Sequence, residues 1–185
     1  MATIIERYLS VEEFLEIDFG PDKKAELDRG MIRMMAGGTA AHNRVAGNLF
    51  VALAVALRGS GCRPYGSDML VQTAETSLRY PVVSIYCGKD DPEHDRERVF
   101  DDPRVVFEIL SPSTTFMDES VKLAEYQSMP SVGAIVYIDP ERERMRVLLR
   151  TGPEGWSDNR LLPNQALELP EFAISIPADE IFRRD

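Results

Sequence analysis

Glu108 is the residue least suited to its surroundings. It lies within Val105-Val106-Phe107-Glu108-Ile109-Leu110. Strand alternation places Val106 and Leu110 on its face, so the carboxylate points to where a core belongs. Burying it unpaired costs on the order of several kcal/mol, so it must be ion-paired, protonated or holding a cation. A buried ion pair explains such a residue, and so does a functional carboxylate. Lys122 lies just downstream, on the helix expected after that strand. A helix in that position packs back over the sheet and can bring an ammonium to the strand end; alternatively Lys122 pairs with Asp118 at i,i+4 on a solvated face. Glu26 opens an earlier strand-like segment and read alone is a surface glutamate. His42, one of two histidines, shares an apolar helical stripe with Ala46 and Leu49, as structural histidines often do. Asp68, in Gly66-Ser67-Asp68, equally suits a turn.

Carboxylates with a lysine suit metal-assisted hydrolysis of a phosphodiester. Magnesium is a hard cation that takes oxygen ligands and keeps several waters, so two or three carboxylates suffice. The metal polarises a phosphoryl oxygen and acidifies a bound water, while a nearby lysine orients that water or stabilises developing charge. No competing motif appears: Gly37-Gly38 is too short for a phosphate-cradling loop, and there is no G-x-S-x-G.

The elements that must position these residues can be read from capping and periodicity. Ser10-Val-Glu-Glu13 is a capping box and starts a short helix from Val11 to about Ile17. Ala25 to Met35 reads as a tight hairpin or bent strand around Arg29-Gly30. Val45, Leu49, Leu53 and Leu57 recur every four residues in a helix over Thr39–Arg58, which Gly59-Ser-Gly61 stops. Met69–Thr73, Val82–Cys87 and Arg104–Leu110 read as strands, with a charged loop over Gly88–Asp102 between the last two. A second capping pattern, Thr115-x-x-Asp118, opens a helix that Pro130 ends near Met129, and Val132–Ile138 is an almost wholly apolar strand. Strand, helix, apolar strand is a βαβ unit with a buried sheet. Met145–Arg150 and Trp156–Leu162 follow as an antiparallel pair, and a last helix covers Ala178–Phe182. Alternation puts Arg142, Arg144 and Arg146 on one strand face, where they either contact phosphates or serve as charged blockers of a solvated edge.

The 185 residues, 44% of them apolar, fit one domain with its own core. The longest apolar run, Leu49 to Leu57, is about half of what a bilayer span needs, so no membrane partner is expected. No secretory signal is visible at the N-terminus. Cys62 and Cys87 are too few for a disulfide scaffold and have no zinc-site spacing, so reduced thiols in the cytoplasm are the expectation. A formal charge of −10 repels phosphate backbones, so any contact with nucleic acid requires a local basic patch or metal ions.

Several motifs share one order with a known family. They are Glu26-Leu…Gly30, His42-Asn…Gly47-Asn-Leu, Arg58-Gly-Ser-Gly-Cys62, Gly66-Ser-Asp68, Tyr80-Pro81, Phe107-Glu-Ile-Leu-Ser-Pro-Ser-Thr114, Lys122-Leu-x-x-Tyr126, Tyr137-Ile-Asp-Pro140 and Leu167-Glu-Leu-Pro170. In this the chain resembles the Uma-type restriction endonuclease family of the PD-(D/E)XK nuclease superfamily, from about Ser10 to Phe182. The resemblance implies a single α/β (mixed α+β) domain over 1–185, with a central mixed sheet flanked by helices and an N-terminal helix at about 10–18. It implies a metal-dependent endonuclease acting on nucleic acid, most readily DNA, and often a homodimer. Carried over residue by residue, Glu26, Glu108, Lys122 and His42 are the catalytic positions, and Glu26, Glu108 and Asp68 the ligands of Mg2+ or Mn2+. Lys122 stands in for a lysine that the superfamily usually places two residues after the strand glutamate, where this chain has Leu110. The family's Pro-Asp-Val is here Pro81-Val82-Val83, so Val82 replaces the usual metal-binding aspartate and offers no lone pair. Two readings follow: an endonuclease impaired at its metal site, or an inactive nuclease-fold module that binds nucleic acid or protein.

Overall fold

Local sequence rules set most of the elements. The computed structural model describes residues 8–89, 91–111 and 117–184, apart from the side chains of 117–119. Helix α1 (Val11–Leu15) begins with the expected capping box: the Glu13 N–H donates to Ser10 Oγ (3.2 Å), and the Ser10 N–H donates to Glu13 Oε2 (3.1 Å). Strands β1 (Ala25–Asp28) and β2 (Met31–Met34) form the hairpin. Its two central residues, Arg29 (φ 50°) and Gly30 (φ 80°), are both left-handed, as a two-residue hairpin turn requires. Gly30 is needed twice over, because a Cβ there would lie 2.7 Å from that of Tyr8. Thr39 caps α2 (Ala40–Ala56), accepting the His42 N–H, and Val45, Leu49 and Leu53 form its buried stripe.

The remaining strands are β3 (Cys62–Gly66), β4 (Leu70–Ala74), β5 (Ser77–Arg79), β6 (Val83–Cys87), β7 (Val99–Phe100), β8 (Val105–Ile109), β9 (Ala134–Asp139), β10 (Arg144–Arg150), β11 (Trp156–Leu161), β12 (Leu167–Leu169) and β13 (Ile174–Ile176). The order β11-β10-β9-β8-β6-β3 makes a six-stranded mixed sheet. Within it β8 and β9 are parallel, joined by a π-helical turn (Met117–Lys122) that continues into α3 (Leu123–Ser128). This is the expected βαβ unit, although Thr115 and the Asp118 side chain lie outside the described residues. A second sheet, β2-β1-β5-β4-β7, packs on α1 through Phe14, Leu27, Leu70 and Leu78. The central sheet is therefore accompanied by a smaller five-stranded one and by the β12–β13 hairpin. Helix α4 (Ala178–Phe182) has the expected bounds.

The central strands of the six-stranded sheet, β8 and β9, are buried on both faces. Val105, Phe107 and Ile109 of β8 pack with α2, α4 and the β12–β13 hairpin. Val106 packs on the other face with Tyr126 of α3, Tyr137 of β9 and Phe100. Both faces being covered explains the nearly continuous apolar run of β8.

Two expectations are corrected. Cys62 and Cys87 are not free thiols; they form a disulfide, because antiparallel β3 and β6 place them directly opposite one another. Strand β3 was hidden in the sequence by Pro64 and Gly66, which read as turn residues. Arg142 does not extend the strand face of Arg144 and Arg146: β10 begins at Arg144, and Arg142 lies in the preceding turn with its N–H and guanidinium on Asp139.

Arg79, fully buried at the end of β5, fastens α3 to the smaller sheet. Its Nε and Nη2 donate to the two carboxylate oxygens of Glu125 on α3 (2.7 and 2.6 Å), and Nη2 also donates to Asp28 Oδ1 (2.8 Å). The Thr73 hydroxyl donates to Glu125 Oε2 (2.8 Å). Burial alone would lower the arginine's pKa, but the Glu125 and Asp28 bonds overcome it and raise it above its ordinary value. Burial likewise pushes Asp28 up, yet the bonds from Arg79 and Arg33 hold it below the usual carboxylate range. Removing one member of a buried ionic set strands the others. Arg79→Met is therefore expected to cost about 3–5 kcal/mol, read as a lowered midpoint in urea unfolding.

Candidate functional site

Two carboxylates from different sheets meet at one ammonium. In β1, Ala25 and Leu27 face the core beneath α1, so alternation sends Glu26 and Asp28 to the opposite face, toward Arg79 and α3. In β8, Glu108 alternates with Phe107 and Ile109 and so shares the face of Val106, beneath the helical crossover. Lys122, the last residue of the π-helical turn, reaches between them. Its Nζ lies 3.0 Å from Glu26 Oε1 and 3.3 Å from Glu108 Oε1. All three are buried, with 6%, 3% and 7% of Glu26, Glu108 and Lys122 exposed.

Each carboxylate has further donors. The Tyr126 hydroxyl donates to Glu108 Oε1 (2.7 Å), and the Tyr80 N–H donates to Glu26 Oε1 (3.0 Å). Arg79 Nη1 stands 3.5 Å from Glu26 Oε2. Burial, together with the charges of Glu108 and Glu26, raises the Tyr126 phenol well above its ordinary pKa, so it stays a donor. Lys122 and Tyr126 are four residues apart, one helical turn, so both project onto the same carboxylate.

Of the sequence candidates, Glu26, Glu108 and Lys122 come together; the others do not join them in the same way. His42 is carried by α2, whose buried stripe packs on the sheet face opposite Glu108. Asp68 has a side chain 91% exposed and paired with Lys24. Val82 directly precedes β6 and donates its N–H to the Phe107 carbonyl (3.1 Å), next to Glu108 along β8. Its side chain packs against the apolar cluster around Phe107 and Val83. Arg146 is held by a two-pronged bond to Asp158 (2.9 and 2.7 Å).

Sequence reasoning missed Arg79 and the role of Tyr126. An arginine at the end of a three-residue strand gives no burial signal, since β5 becomes a strand only by pairing with β1 and β4. Tyr126 stood in the Lys122-Leu-x-x-Tyr126 motif, and its i+4 spacing from Lys122 was the available clue.

Magnesium requires oxygen donors around a shared point. The donors here are two carboxylates with an ammonium already between them. Among the described residues, no cluster of three His, Cys, Asp or Glu side chains is arranged to hold a metal ion. The donor set as it stands does not fit that metal.

A mixed sheet with flanking helices, carrying a buried carboxylate–lysine cluster on its parallel βαβ unit, has the architecture of a nuclease-like α/β protein. Residues 11–178 match the Uma2 family, described as "Putative restriction endonuclease", and the chain belongs to that family. It is similar to two uncharacterised proteins of Synechocystis sp. One is 27% identical over 176 residues, covering 95% of this chain and 92% of the relative; the other is 25% identical over 167 residues, covering 90% and 94%. A crystal structure from Anabaena variabilis, described as "a putative nuclease belonging to DUF820", has the same fold. Its TM-score is 0.78 at 14% identity, over 94% of this chain and 97% of that one.

Tyr126→Phe removes one charge-assisted bond from a buried carboxylate and leaves the packing intact. It is expected to lower stability by about 1.5–3 kcal/mol in urea unfolding, while the larger Tyr126→Leu costs more.

Proposed function

We propose that the chain is a nuclease-fold protein that binds nucleic acid beside the buried Glu26–Glu108 pair, and that its metal-dependent phosphodiester hydrolysis is impaired at Val82. The observation that carries this reading is the position of Lys122. Its ammonium sits between the two carboxylates that the family resemblance assigns to a metal, while Val82, at the position of the family's aspartate, has no oxygen to give.

Family and fold support the nuclease reading; the details rest on the chemistry of the site. In this chain Glu26 and Glu108 are stabilised from within, by the shared charge of Lys122 and by hydrogen bonds from the Tyr80 N–H and the Tyr126 hydroxyl. A divalent ion entering between them must displace the ammonium and find its remaining ligands in water or substrate. Tyr126 and Arg79 act as positioning residues: one fixes the Glu108 oxygen, the other holds α3 and Glu26 in register.

The alternative, an inactive module that only binds, predicts the same nucleic-acid contacts with no cleavage even after the missing ligand is restored. A plasmid-nicking assay in Mn2+ separates the two. Val82→Asp is expected to nick faster than the wild type by on the order of a hundredfold or more, since a metal contributes several kcal/mol to such a transition state. Adding Glu108→Ala to that variant should abolish the gain. Wild-type cleavage that Glu108→Ala removes would show an unimpaired site, and failure of Val82→Asp to cut would favour the binding module.

A further inference from the structure

The buried cluster accounts for Glu108 but leaves unexplained a row of residues running sideways from it across the sheet. Strand register fixes that row. Glu108 of β8 lies abreast of Tyr137 of β9, Tyr137 abreast of Arg146 of β10, and Arg146 abreast of Arg160 of β11. Residues paired in this way share a sheet face. Arg144, two residues from Arg146, stands on the same face beside Asp139. Burial falls along the row: Glu108 and Tyr137 are buried, Arg146 is half-buried, and Arg144 and Arg160 are exposed. The row opens into a cleft of about 790 Å³ whose wall includes Leu110 and Ser111, the residues that directly follow β8.

We propose that this cleft is a binding site for the phosphodiester backbone of a nucleic-acid duplex, with Arg144 and Arg160 as the principal phosphate contacts. The proposal rests on the nucleic-acid reading above and extends it to a defined surface.

Three observations carry it. First, charge is concentrated against the trend of the molecule. The chain has a net charge of −10, yet Arg142, Arg144, Arg146 and Arg160 line this one cleft against the carboxylates Asp139 and Glu141. Second, the arginines divide by partner. Arg142 is held by Asp139 and Arg146 by Asp158, whereas among the described residues the guanidinium groups of Arg144 and Arg160 make no hydrogen bond or close ion pair, Arg160 acting on Asp158 only through its charge. A guanidinium without an internal partner is free to take a phosphate in a two-pronged contact. Third, the cleft lies along the strand row that begins at the buried Glu108, which is not itself part of its wall. Three strand spacings of ~4.8 Å separate β8 from β11, a span of roughly 14 Å, or about four phosphates at 3.4 Å per strand charge.

The lining also favours a duplex over a single strand. Single-strand grooves combine basic residues with exposed aromatic rings on which bases stack. The aromatic ring of this cleft, Tyr137, is 1% exposed and lies beneath the Arg146 guanidinium, 5.9 Å from ring centroid to Cζ. Backbone contacts without stacking position a duplex and carry no sequence information. The site therefore tolerates any sequence.

Fluorescence anisotropy in EDTA tests this without relying on cleavage. The probes are a labelled 24-base-pair random DNA duplex, the corresponding RNA duplex and a single strand of the DNA. The wild type should bind duplex more tightly than single strand, and the two duplex arms show which sugar backbone is preferred. Its affinity should fall steeply with salt. The Arg144→Ala/Arg160→Ala protein should lose affinity for the preferred duplex and reduce the slope of log K against log salt by roughly 1.8, about 0.9 per lost phosphate contact. Arg58→Ala, at an exposed arginine after α2, should leave the slope unchanged, and the variants' melting temperatures report that the fold is intact. If the double variant matches the wild type in affinity and slope, the cleft assignment is overturned while the nucleic-acid reading stands. If the wild type binds no duplex at low salt, both fail. Tighter binding of the single strand overturns the duplex assignment.

Discussion

The ammonium of Lys122 is the constraint on which the site depends. Glu26 and Glu108 arrive from separate sheets, each on a strand whose other residues are apolar or buried. Two carboxylates buried so near one another need either a proton on one of them or positive charge between them. Lys122 supplies it from the crossover between the parallel strands, so the βαβ unit and the smaller sheet are joined by charge as well as by packing. Arg79 repeats the arrangement one turn further along α3, bridging Glu125 to Asp28 and approaching Glu26. The two cations fix where the helix sits. The helix in turn fixes the Tyr126 hydroxyl on Glu108.

The same arrangement explains how an acidic protein can carry phosphate chemistry. A charge of −10 repels nucleic acid at long range. Inside the site, Lys122 and Arg79 offset part of the negative charge of Glu26, Glu108, Asp28 and Glu125. Along the sheet, four arginines gather at one cleft. The distribution of charge, rather than its sum, decides what this surface can hold. Val82 fits this pattern: with an internal cation already present, an apolar residue beside Glu108 adds no further negative charge to neutralise.

Much of the fold was legible because its signals are local. The Ser10 capping box, the Arg29-Gly30 turn, the four-residue spacing of α2 and the apolar run of β8 each report on neighbours a few residues away. Glu108 and Lys122 could be singled out for the same reason, as charges out of place in an apolar strand and on the helix after it. The missed features depend on distant pairings. Strand β3 carries Pro64 and Gly66, and only its pairing with β6 makes it a strand and joins Cys62 to Cys87. Arg79 becomes a buried anchor only when β5 pairs with β1 and α3 folds over both. Glu26 read as a surface residue because its burial comes from the other sheet. Arg160 was not singled out, because its alignment with Glu108 passes through three strand registers.

The most direct test is a melting-temperature titration of the wild type and Val82→Asp with MnCl2. An ion that binds only the folded state adds about 2.7 kcal/mol at a hundredfold excess over its Kd. In a chain of this size that is a rise of roughly 5–10 °C. The account predicts that Val82→Asp rises by this amount at about 10 mM Mn2+, while the wild type, with Lys122 between its carboxylates, does not move. A wild-type rise equal to that of Val82→Asp would contradict it, because the ammonium would then be no barrier to a metal and Val82 no loss.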